Sequence, residues 1–372
     1  MEGDRLILKP KNIINFKFQK KVIRKVDSKR LFNSTKLLLQ SYGLQSLKSK
    51  RVSKYLVDAD LSGQSSHGVA RLAMYLDKVE KKEINIKAKS KIYNETKNTA
   101  QVDGGWGFGQ IAADDAIKLC IKKALKKNIS CVTLKKANHI GRLSDFTSQA
   151  AKKNLIGIAF ANLHGTGHVV SPFGGIDRKL PTNPISISTP GPSKTNFFEM
   201  DMSTSIISEG KMKIDYLLKK KINKNLIIDY LGKSTRDPKK FYENPKGSIL
   251  PLGGISGYKG FALSMAVDIL GGALSGAGCS GPQKAQHGNA VTFIVIKITA
   301  FASIRDFKKK ISDLISHVKN TRMQKGFKKI LIPGDFERNN KSLNLKRGVE
   351  INQVTLNEIR KLLKKKKIKV HI

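Results

Sequence analysis

Apolar residues recur with helical spacing through roughly the first eighty residues of the chain. The segment KRLFNSTKLLLQSYG, with Asp27 or Ser28 as its N-cap and Gly43 as its stop, predicts a first helix. The segment SKRVSKYLVDADLSG keeps the same spacing and predicts a second helix. A third is predicted from about residue 68 to residue 79. The N-terminal part of the chain is therefore predicted to be mainly helical.

From about residue 99, short apolar runs alternate with amphipathic stretches. Strands are predicted at TAQVDGG, SCVTLKK, LIGIAFANL, ISISTP, FFEMDMS and NAVTFIVIKI. Helices are predicted at DDAIKLCIKKALKK, LSDFTSQAAKKN, KGFALSMAVDILGGALSG, DFKKKISDLISHVKNT and VTLNEIRKLLKKKK. The pattern indicates an α/β (α+β) chain with helical ends. A Lys- and Asn-rich stretch, residues 211–250, predicts a small inserted subdomain or a long lid.

Composition excludes several classes of protein. With 372 residues, 40% hydrophobic, the chain can bury a sizeable core and is not wholly disordered. No apolar run reaches the roughly 18 residues that span a membrane, and the N-terminus lacks the apolar core of a secretion signal. Residues 1–20 are predicted to be a basic, poorly ordered extension. Three scattered cysteines predict a reducing, cytoplasmic compartment and no disulfide framework.

The formal net charge of +42 would ordinarily suggest a polyanion partner. Lysine, however, outnumbers arginine 57 to 13, and the excess is spread along the chain beside Ile and Asn. Arginine is the side chain whose planar fork suits phosphate and guanine. The charge is therefore interpreted as a compositional property of the surface, and no specific nucleic-acid partner is predicted.

The string GFGQIA at residues 107–112 has the spacing of a dinucleotide-binding glycine motif. A Rossmann site also needs an acidic residue at the end of the next strand to bind the ribose. Here that strand, SCVTLKKANH, ends in lysines. The glycines are therefore predicted to serve a helix N-terminus and close packing.

Ser66, His67 and Arg71 form the first candidate site. If the third predicted helix begins here, His67 and Arg71 lie one turn apart on the same face. A histidine beside a hydroxyl can exchange protons near neutral pH, and an arginine can bind a carboxylate with two parallel hydrogen bonds. The set suits a 2-hydroxy or 2-oxo acid. The alternative is that Ser66 only caps the helix.

Four later segments are candidates for binding a ligand. His139 precedes Gly141 and a helix whose first amides could hold a phosphate, or it is a satisfied histidine at a turn. The stiff loop at 182–184 could position a polar ligand or form a plain hairpin. Asp201 could bond ribose hydroxyls or cap a strand exit, and Lys259 precedes a long apolar helix. The seven histidines are dispersed, so no metal site is predicted.

The order and wording of these segments resemble the type-2 malate/L-lactate dehydrogenases. The matching strings are ADLSGQSSHGVAR, VDGGWGFGQIAADDAI, NHIGRL, SPFGGIDRKLPTNPI, DMSTSIISEGK, GSILPLGGISGYKGFAL, and IPGDFE with KRGVEI. They run from about residue 28 to residue 360, which is nearly the whole chain. One departure is Pro181, where the family commonly has Gly before TNP, and it is expected to stiffen that turn.

The resemblance implies a fold without a Rossmann domain. Both chain ends, 21–95 and 323–372, would form a helical domain. Residues 96–210 and 251–322 would form a cofactor domain with a largely antiparallel sheet flanked by helices, and 211–250 a small helical insert. Such proteins usually form homodimers with the active site at a domain and subunit interface.

The resemblance also implies site residues. Ser66 and His67 would transfer the proton, Arg71 would hold the substrate carboxylate, Thr182 would approach the substrate, and His139 would lie by the nicotinamide or substrate. Taken with the anion-site arguments above, the expected cofactor-binding residues are His139, Gly141, Arg142, Asp201, Met202, Ser203, Lys259 and Gly260.

The function predicted is hydride transfer between NAD or NADP and a small 2-hydroxy/2-oxo carboxylic acid, malate-like or lactate-like. Which of the two histidines is the main acid is left open. One alternative is reduction of a cyclic imine carboxylate on the same fold. The other, from a different class, is a basic polyanion-binding protein without catalysis, which predicts a steep fall of nucleic-acid affinity with salt.

Overall fold

The computed structural model describes residues 23–193, 196–281, 286–370 and 372. The predicted extension at 1–20 lies outside them. The described strands are β1 (Ile23–Val26), β2 (Lys91–Tyr93), β3 (Thr99–Gly107), β4 (Ile129–Ala137), β5 (Leu155–His164), β6 (Ile185–Ser193), β7 (Asn196–Met202), β8 (Ile227–Ile228), β9 (Ser234–Thr235), β10 (Ser248–Ile249), β11 (Gly288–Lys297) and β12 (Val349–Asn352).

The described helices match the segments predicted above, except that the third begins only at Leu72 and the long apolar one continues from Ile269 to Ala273 as a π-helical turn. They are α1 (Ser28–Ser41), α2 (Ser46–Leu61), α3 (Leu72–Glu80), α4 (Gly109–Lys127), α5 (Ser144–Ala151), α6 (Glu209–Leu217), α7 (Lys239–Tyr242), α8 (Gly257–Asp268), α9 (Ile304–Lys319), α10 (Asp335–Arg347) and α11 (Gln353–Lys365). Among the described residues, no helix is long and apolar enough to cross a membrane.

The central sheet, within the described residues, has seven strands in the order β2-β3-β4-β11-β5-β6-β7. The β3/β4 pair is parallel because α4 connects the two strands as a crossover, and the other neighbouring pairs are antiparallel. The predicted largely antiparallel sheet is therefore confirmed. The strand predicted at NAVTFIVIKI is β11, which pairs on both sides at the centre of the sheet.

The largest core lies between the sheet and helices α4 and α5. Ile117 of α4, Phe146 of α5 and Phe293 of β11 are fully buried in it. The glycines of GFGQIA serve close packing here, as predicted. A Cβ atom on Gly109, the first residue of α4, would lie 2.0 Å from the carbonyl oxygen of Asn138.

A second core joins the two ends of the chain. Strand β1 pairs with β12, Val26 opposite Val349, and helices α1, α2, α3 and α11 pack around that pair. Leu31, Leu56 and Ile359 are buried there. Residues separated by some three hundred positions therefore share one apolar cluster.

The insert differs from the helical one implied by the family resemblance. It contains α6 and α7, but also a three-stranded sheet in the order β10-β8-β9. Met212, Ile227, Phe241 and Ile249 are buried together in it. Each strand spans two residues, too few for an alternating pattern to be visible in the sequence.

Candidate active site

The predicted third helix is wrong over its first residues, 68–71, which precede α3. Residues Ser65–His67 and Val69–Arg71 form two 3₁₀ turns, and the α-helix begins only at Leu72. Gly68 between them has an extended backbone, with φ −88° and ψ −154°. A Cβ atom there would lie 2.0 Å from the Asp60 carboxyl group, so only glycine fits.

Asp60 fixes this break in the helix. Its Oδ2 accepts a hydrogen bond from the Val69 amide at 2.7 Å. The side chain is fully enclosed, and burial raises the pKa of Asp60 to about 8. The carboxyl group is thus predominantly protonated at neutral pH and acts as a buried polar anchor beneath the loop of the candidate site.

Ser66, His67 and Arg71 are brought together as the sequence predicted, though by two tight turns rather than by a helix face. The Ser66 hydroxyl lies 3.0 Å from His67 Nδ1. Arg71 Nε donates to the Ser66 carbonyl at 2.7 Å. The remaining guanidinium nitrogens of Arg71 face away from this bond and are the ones left for a ligand.

His139 joins this group from the loop after β4. Its ring stacks on that of His67, with centroids 5.6 Å apart and an angle of 21°. Its Nδ1 lies 2.6 Å from the Tyr75 hydroxyl, and Gln110 Nε2 donates to the same hydroxyl at 2.8 Å. With Gln110 as a donor to it, the Tyr75 hydroxyl has its own proton available for His139 Nδ1. This arrangement favours the neutral His139 tautomer that carries its proton on Nε2.

Tyr75 and Gln110 were not predicted from the sequence. Tyr75 follows Arg71 at helical spacing and is buried, so it has the pattern of a core residue. Gln110 lies in GFGQIA, where attention falls on the glycines. Their common function, to orient His139, becomes visible only when β4 and α3 are adjacent.

Both imidazoles are held neutral. Burial, reinforced by the positive charges of Arg71, Arg142 and Lys211, lowers the pKa of His67 to about 3. Burial, together with Arg71 and His67 itself, lowers the pKa of His139 as well. A substrate carboxylate placed beside Arg71 would offset part of this positive field and raise the affinity of His67 for a proton.

The insert supplies a further side of the site. Glu209, at the start of α6, places its Oε2 3.8 Å from an Arg71 Nη. The Tyr242 hydroxyl donates to Glu209 Oε1 at 2.8 Å. A Cβ atom on Gly210 would lie 2.5 Å from Ser66 Cβ, so the helix start abuts Ser66. The sequence showed SEGK as a motif but no role for Glu209 or Tyr242.

Arg142 and Asp201 lie beside the histidines at the start of α5. The Ser144 amide donates to Asp201 Oδ2 at 2.8 Å, and Arg142 forms an ion pair with Asp145. Asp201 is an exposed residue, yet enough protein surrounds its carboxyl group that burial raises its pKa to about 6. Gly141 has a φ of +89°, a conformation that favours glycine.

Thr182 lies just before β6, and Met202 and Ser203 lie at the end of the neighbouring strand β7. Met202 pairs with Ile185 at the end of β7, and Ser203 Oγ donates to the Ser205 carbonyl at 3.0 Å. The Thr182 carbonyl accepts from the Thr204 amide at 2.9 Å. The stretch containing Asp201 thus runs directly beside the loop containing Thr182.

The structure does not bring Lys259 and Gly260 into contact with the two histidines. Gly260 serves packing, because a Cβ atom on it would lie 2.1 Å from the Leu252 carbonyl oxygen. Lys259 is exposed, with its Nζ 5.9 Å from the centroid of the Tyr258 ring. Across the described ranges it makes no hydrogen bond or ion pair with the other predicted site residues. The described residues also contain no group of three or more His, Cys, Asp or Glu able to hold a metal ion.

Comparison with known proteins agrees with this fold. The malate/L-lactate dehydrogenase family model matches residues 26–360. Malate dehydrogenase of Pyrococcus abyssi is 33% identical over 353 residues, 93% of this chain and 96% of that protein. L-sulfolactate dehydrogenase of Methanocaldococcus jannaschii is 34% identical over 363 residues, 96% of each chain.

The same likeness holds in three dimensions. The solved structure of malate dehydrogenase from Pyrococcus horikoshii superposes with a TM-score of 0.84 at 32% identity, covering 94% of this chain and 97% of that one. The resemblance read from seven short strings therefore extends over sequence and fold alike. The chain belongs to the malate/L-lactate dehydrogenase family.

Proposed function

We propose that this protein catalyses reversible hydride transfer between a nicotinamide cofactor, NAD or NADP, and a small 2-hydroxy/2-oxo carboxylic acid of the malate or lactate type. The observation that carries the proposal is one arrangement: neutral His67 stacked on His139, with the Arg71 guanidinium within reach of the same space. Family membership already makes the protein an oxidoreductase of hydroxy acids. The alternatives, an imine reductase and a polyanion-binding protein, are not favoured by these relatives.

Arg71 binds the substrate carboxylate in this proposal. Its Nε is occupied by the Ser66 carbonyl, so the two Nη groups are the donors that face the carboxylate. The bond to Ser66 also fixes the guanidinium relative to His67, the next residue. The substrate C2 is thereby held at a set distance from the imidazole, which removes much of the entropic cost of the reaction.

His67 moves the proton and His139 polarises the substrate oxygen. Neutral His67 accepts the hydroxyl proton on oxidation and returns it on reduction, with Ser66 fixing the ring through Nδ1. His139, with its proton on Nε2, donates a hydrogen bond to the same oxygen, and Thr182 approaches the substrate from the other side of the cleft. Tyr75 prevents the His139 ring from turning.

The groups beside the histidines suit a nicotinamide cofactor. The Asp201 carboxylate can accept hydrogen bonds from ribose hydroxyls, and Arg142, close enough to affect the pKa of both His67 and Asp201, lies on the same side. We infer that Gly141, Arg142, Asp201, Met202 and Ser203 hold the cofactor, with Lys259 and Gly260 bordering it. When bound, it supplies the hydride chemistry.

The pH dependence of the reaction follows from the pKa of His67. With a pKa of about 3 in the free enzyme, the imidazole is already deprotonated, so kcat/KM for the hydroxy acid should be constant between about pH 5 and pH 9. Reduction needs the protonated ring, whose fraction falls tenfold for each pH unit above that pKa. We therefore expect kcat/KM for the oxo acid to fall about tenfold per unit over the same range. Initial rates in both directions measure this, and a bell-shaped profile centred near pH 6.5 would contradict it.

The activity itself is tested by mixing the purified protein with reduced nicotinamide cofactor and a panel of 2-oxo acids. Pyruvate, oxaloacetate and sulfopyruvate are compared while absorbance of the reduced nicotinamide is followed. Turnover with at least one of them is expected. A lack of turnover with all three, using both NADH and NADPH, would reject the proposal.

The homodimer predicted from the family is supported by one face of α8. This helix is mostly apolar apart from Lys259, Ser264 and Asp268, a composition typical of helices that are covered on more than one face. The helix packs against β5. Its residues Tyr258 and Met265 are nevertheless 52% and 42% exposed, and Ile269, in the π-helical turn that follows α8, is 53% exposed. We infer that a second copy of the chain covers this face, close to the loop containing Thr182.

We also infer that each of the three buried clusters is the core of one domain. The cluster between the sheet, α4 and α5 belongs to the cofactor domain, the cluster of the two chain ends to the helical domain, and the third to the insert.

A charge on this face of α8 should separate the dimer. Met265→Glu places a carboxylate in the proposed contact, where its desolvation would outweigh the packing of the helix. We expect a dimer for the unchanged protein and a monomer for the variant in light scattering coupled to gel filtration. Leu47→Glu, on an isolated residue that is 78% exposed, should leave the dimer intact. A dimer in both variants would exclude this face.

We propose a cytoplasmic location because the three cysteines are free thiols. Cys120, Cys131 and Cys279 are all free thiols, and burial raises the pKa of each. Free thiols of this kind persist in reducing compartments. The charge of +42 is then a property of the surface, which attracts anionic substrates over long range.

A further inference from the structure

Glu209 is an unexpected side chain in the candidate site, because its carboxylate faces the guanidinium that the substrate carboxylate needs. Its Oε2 lies 3.8 Å from an Arg71 Nη, and the side chains of Arg71 and Glu209 are 26% and 33% exposed. The approach is that of a loose ion pair, not of a tight two-bond contact. Such a pair can be opened by a competing anion.

The insert holds Glu209 in this position. The Tyr242 hydroxyl donates to its Oε1 at 2.8 Å, and burial beside Glu209 raises the pKa of Tyr242, so the hydroxyl remains a donor. The Tyr242 ring is itself packed between Phe241 and Tyr216, at centroid distances of 4.8 and 4.6 Å. The carboxylate is therefore placed by a rigid aromatic support.

Arg71 has few donors to share. Its Nε already binds the Ser66 carbonyl, which leaves only the Nη groups for a carboxylate. A substrate carboxylate bound to both of them would lie next to Glu209, and two carboxylates at that distance repel. Either Glu209 swings away or the substrate binds less tightly.

We propose that Glu209 competes with the substrate carboxylate for Arg71 and so sets substrate affinity. The proposal rests on the proposed function, since it assigns the carboxylate of the 2-oxo acid to Arg71. In the absence of substrate, Glu209 occupies the guanidinium. Substrate binding replaces this internal carboxylate with an external one, and the start of α6, which abuts Ser66, yields at that moment.

Replacement of the charge tests the proposal. Glu209→Gln keeps the shape and the Tyr242 contact but removes the competing charge. We expect it to lower KM for the 2-oxo acid about threefold to fivefold, the range for a partly exposed ion pair, while kcat changes less than about twofold. The dissociation constant of oxamate, an unreactive monocarboxylate, should fall by a similar factor in calorimetry. Glu209→Ala should act in the same direction.

Glu243→Gln is the matched control. Glu243 carries the same charge on the same insert, is exposed, and makes no ion pair with Arg71 in the part of the chain described. Its KM should remain unchanged. An unchanged or increased KM and oxamate dissociation constant in both Glu209 variants would overturn the inference, because Glu209 would then orient Arg71 instead of competing for it. If the unchanged enzyme reduces no 2-oxo acid, the proposed function fails, whereas oxamate binding still decides the role of Glu209.

Discussion

Replacing His67 with alanine should lower kcat/KM about 10²- to 10⁴-fold, the usual contribution of a positioned general acid or base. The imidazole is half-buried and stacked on His139, and alanine has no group that can carry the proton in its place. The loss should appear mainly in kcat, because Arg71 still binds the carboxylate. Steady-state kinetics in both directions measure it, and full activity of His67→Ala would refute the assignment.

His139 and Ser66 provide the comparison. His139→Gln keeps a donor but loses the ring, so we expect a smaller fall than in His67→Ala if His139 only polarises the oxygen. Ser66→Ala should lower activity least, since it removes only the contact that orients His67 Nδ1. The reverse order, with His139→Gln the more damaging change, would make His139 the main acid. The measured order would show which of the two histidines is the main acid, a question that the sequence patterns left open.

The sheet could be predicted well from the sequence because its strands carry their own signals. NAVTFIVIKI is rich in β-branched residues and became the doubly paired central strand β11. LIGIAFANL, a continuous apolar run, became β5 beside it. Both strands lie in the middle of the sheet and most of their residues are buried, so local composition and tertiary environment agree.

The loop of the candidate site was less predictable, for a physical reason. ADLSGQSSHGVARL has the spacing of a helix, but Asp60, a residue of the preceding helix, takes the Val69 amide and forces Gly68 into an extended conformation. Local propensity cannot show a hydrogen bond from nine residues away. The chemistry of the site was nevertheless visible, because Ser66, His67 and Arg71 remain adjacent under either backbone.

The contacts that orient the site lie further apart still. Tyr75 reaches His139 across 64 positions, and Glu209 meets Arg71 from the insert. Each residue type alone is common in cores or on surfaces, so only the fold reveals its role. The residues proposed to bind the substrate could thus be named from the sequence, whereas the residues that contact and position them could not.

Arg71→Lys is expected to lower kcat/KM about 30- to 1000-fold, even though it keeps the positive charge. The guanidinium has two tasks at once, since Nε binds the Ser66 carbonyl and the Nη groups bind the substrate carboxylate. A lysine ammonium is a compact point charge that cannot fill both positions. Hydrogen bonds to charged groups contribute about 1.5–3 kcal/mol each, so the expected loss of about 2–4 kcal/mol corresponds to one or two of them.

The loss should be divided between KM and kcat, because the Ser66–His67 turn also loses its anchor when Nε is removed. Arg236→Lys is the control, since its Nε likewise donates to a backbone carbonyl, that of Ile222, at 2.9 Å within the insert. That variant should keep its kinetic constants within about twofold, a range typical of surface substitutions. If Arg71→Lys raised KM alone and left kcat intact, the guanidinium would serve only to bind substrate, and the hydrogen bond to Ser66 would have no part in placing His67.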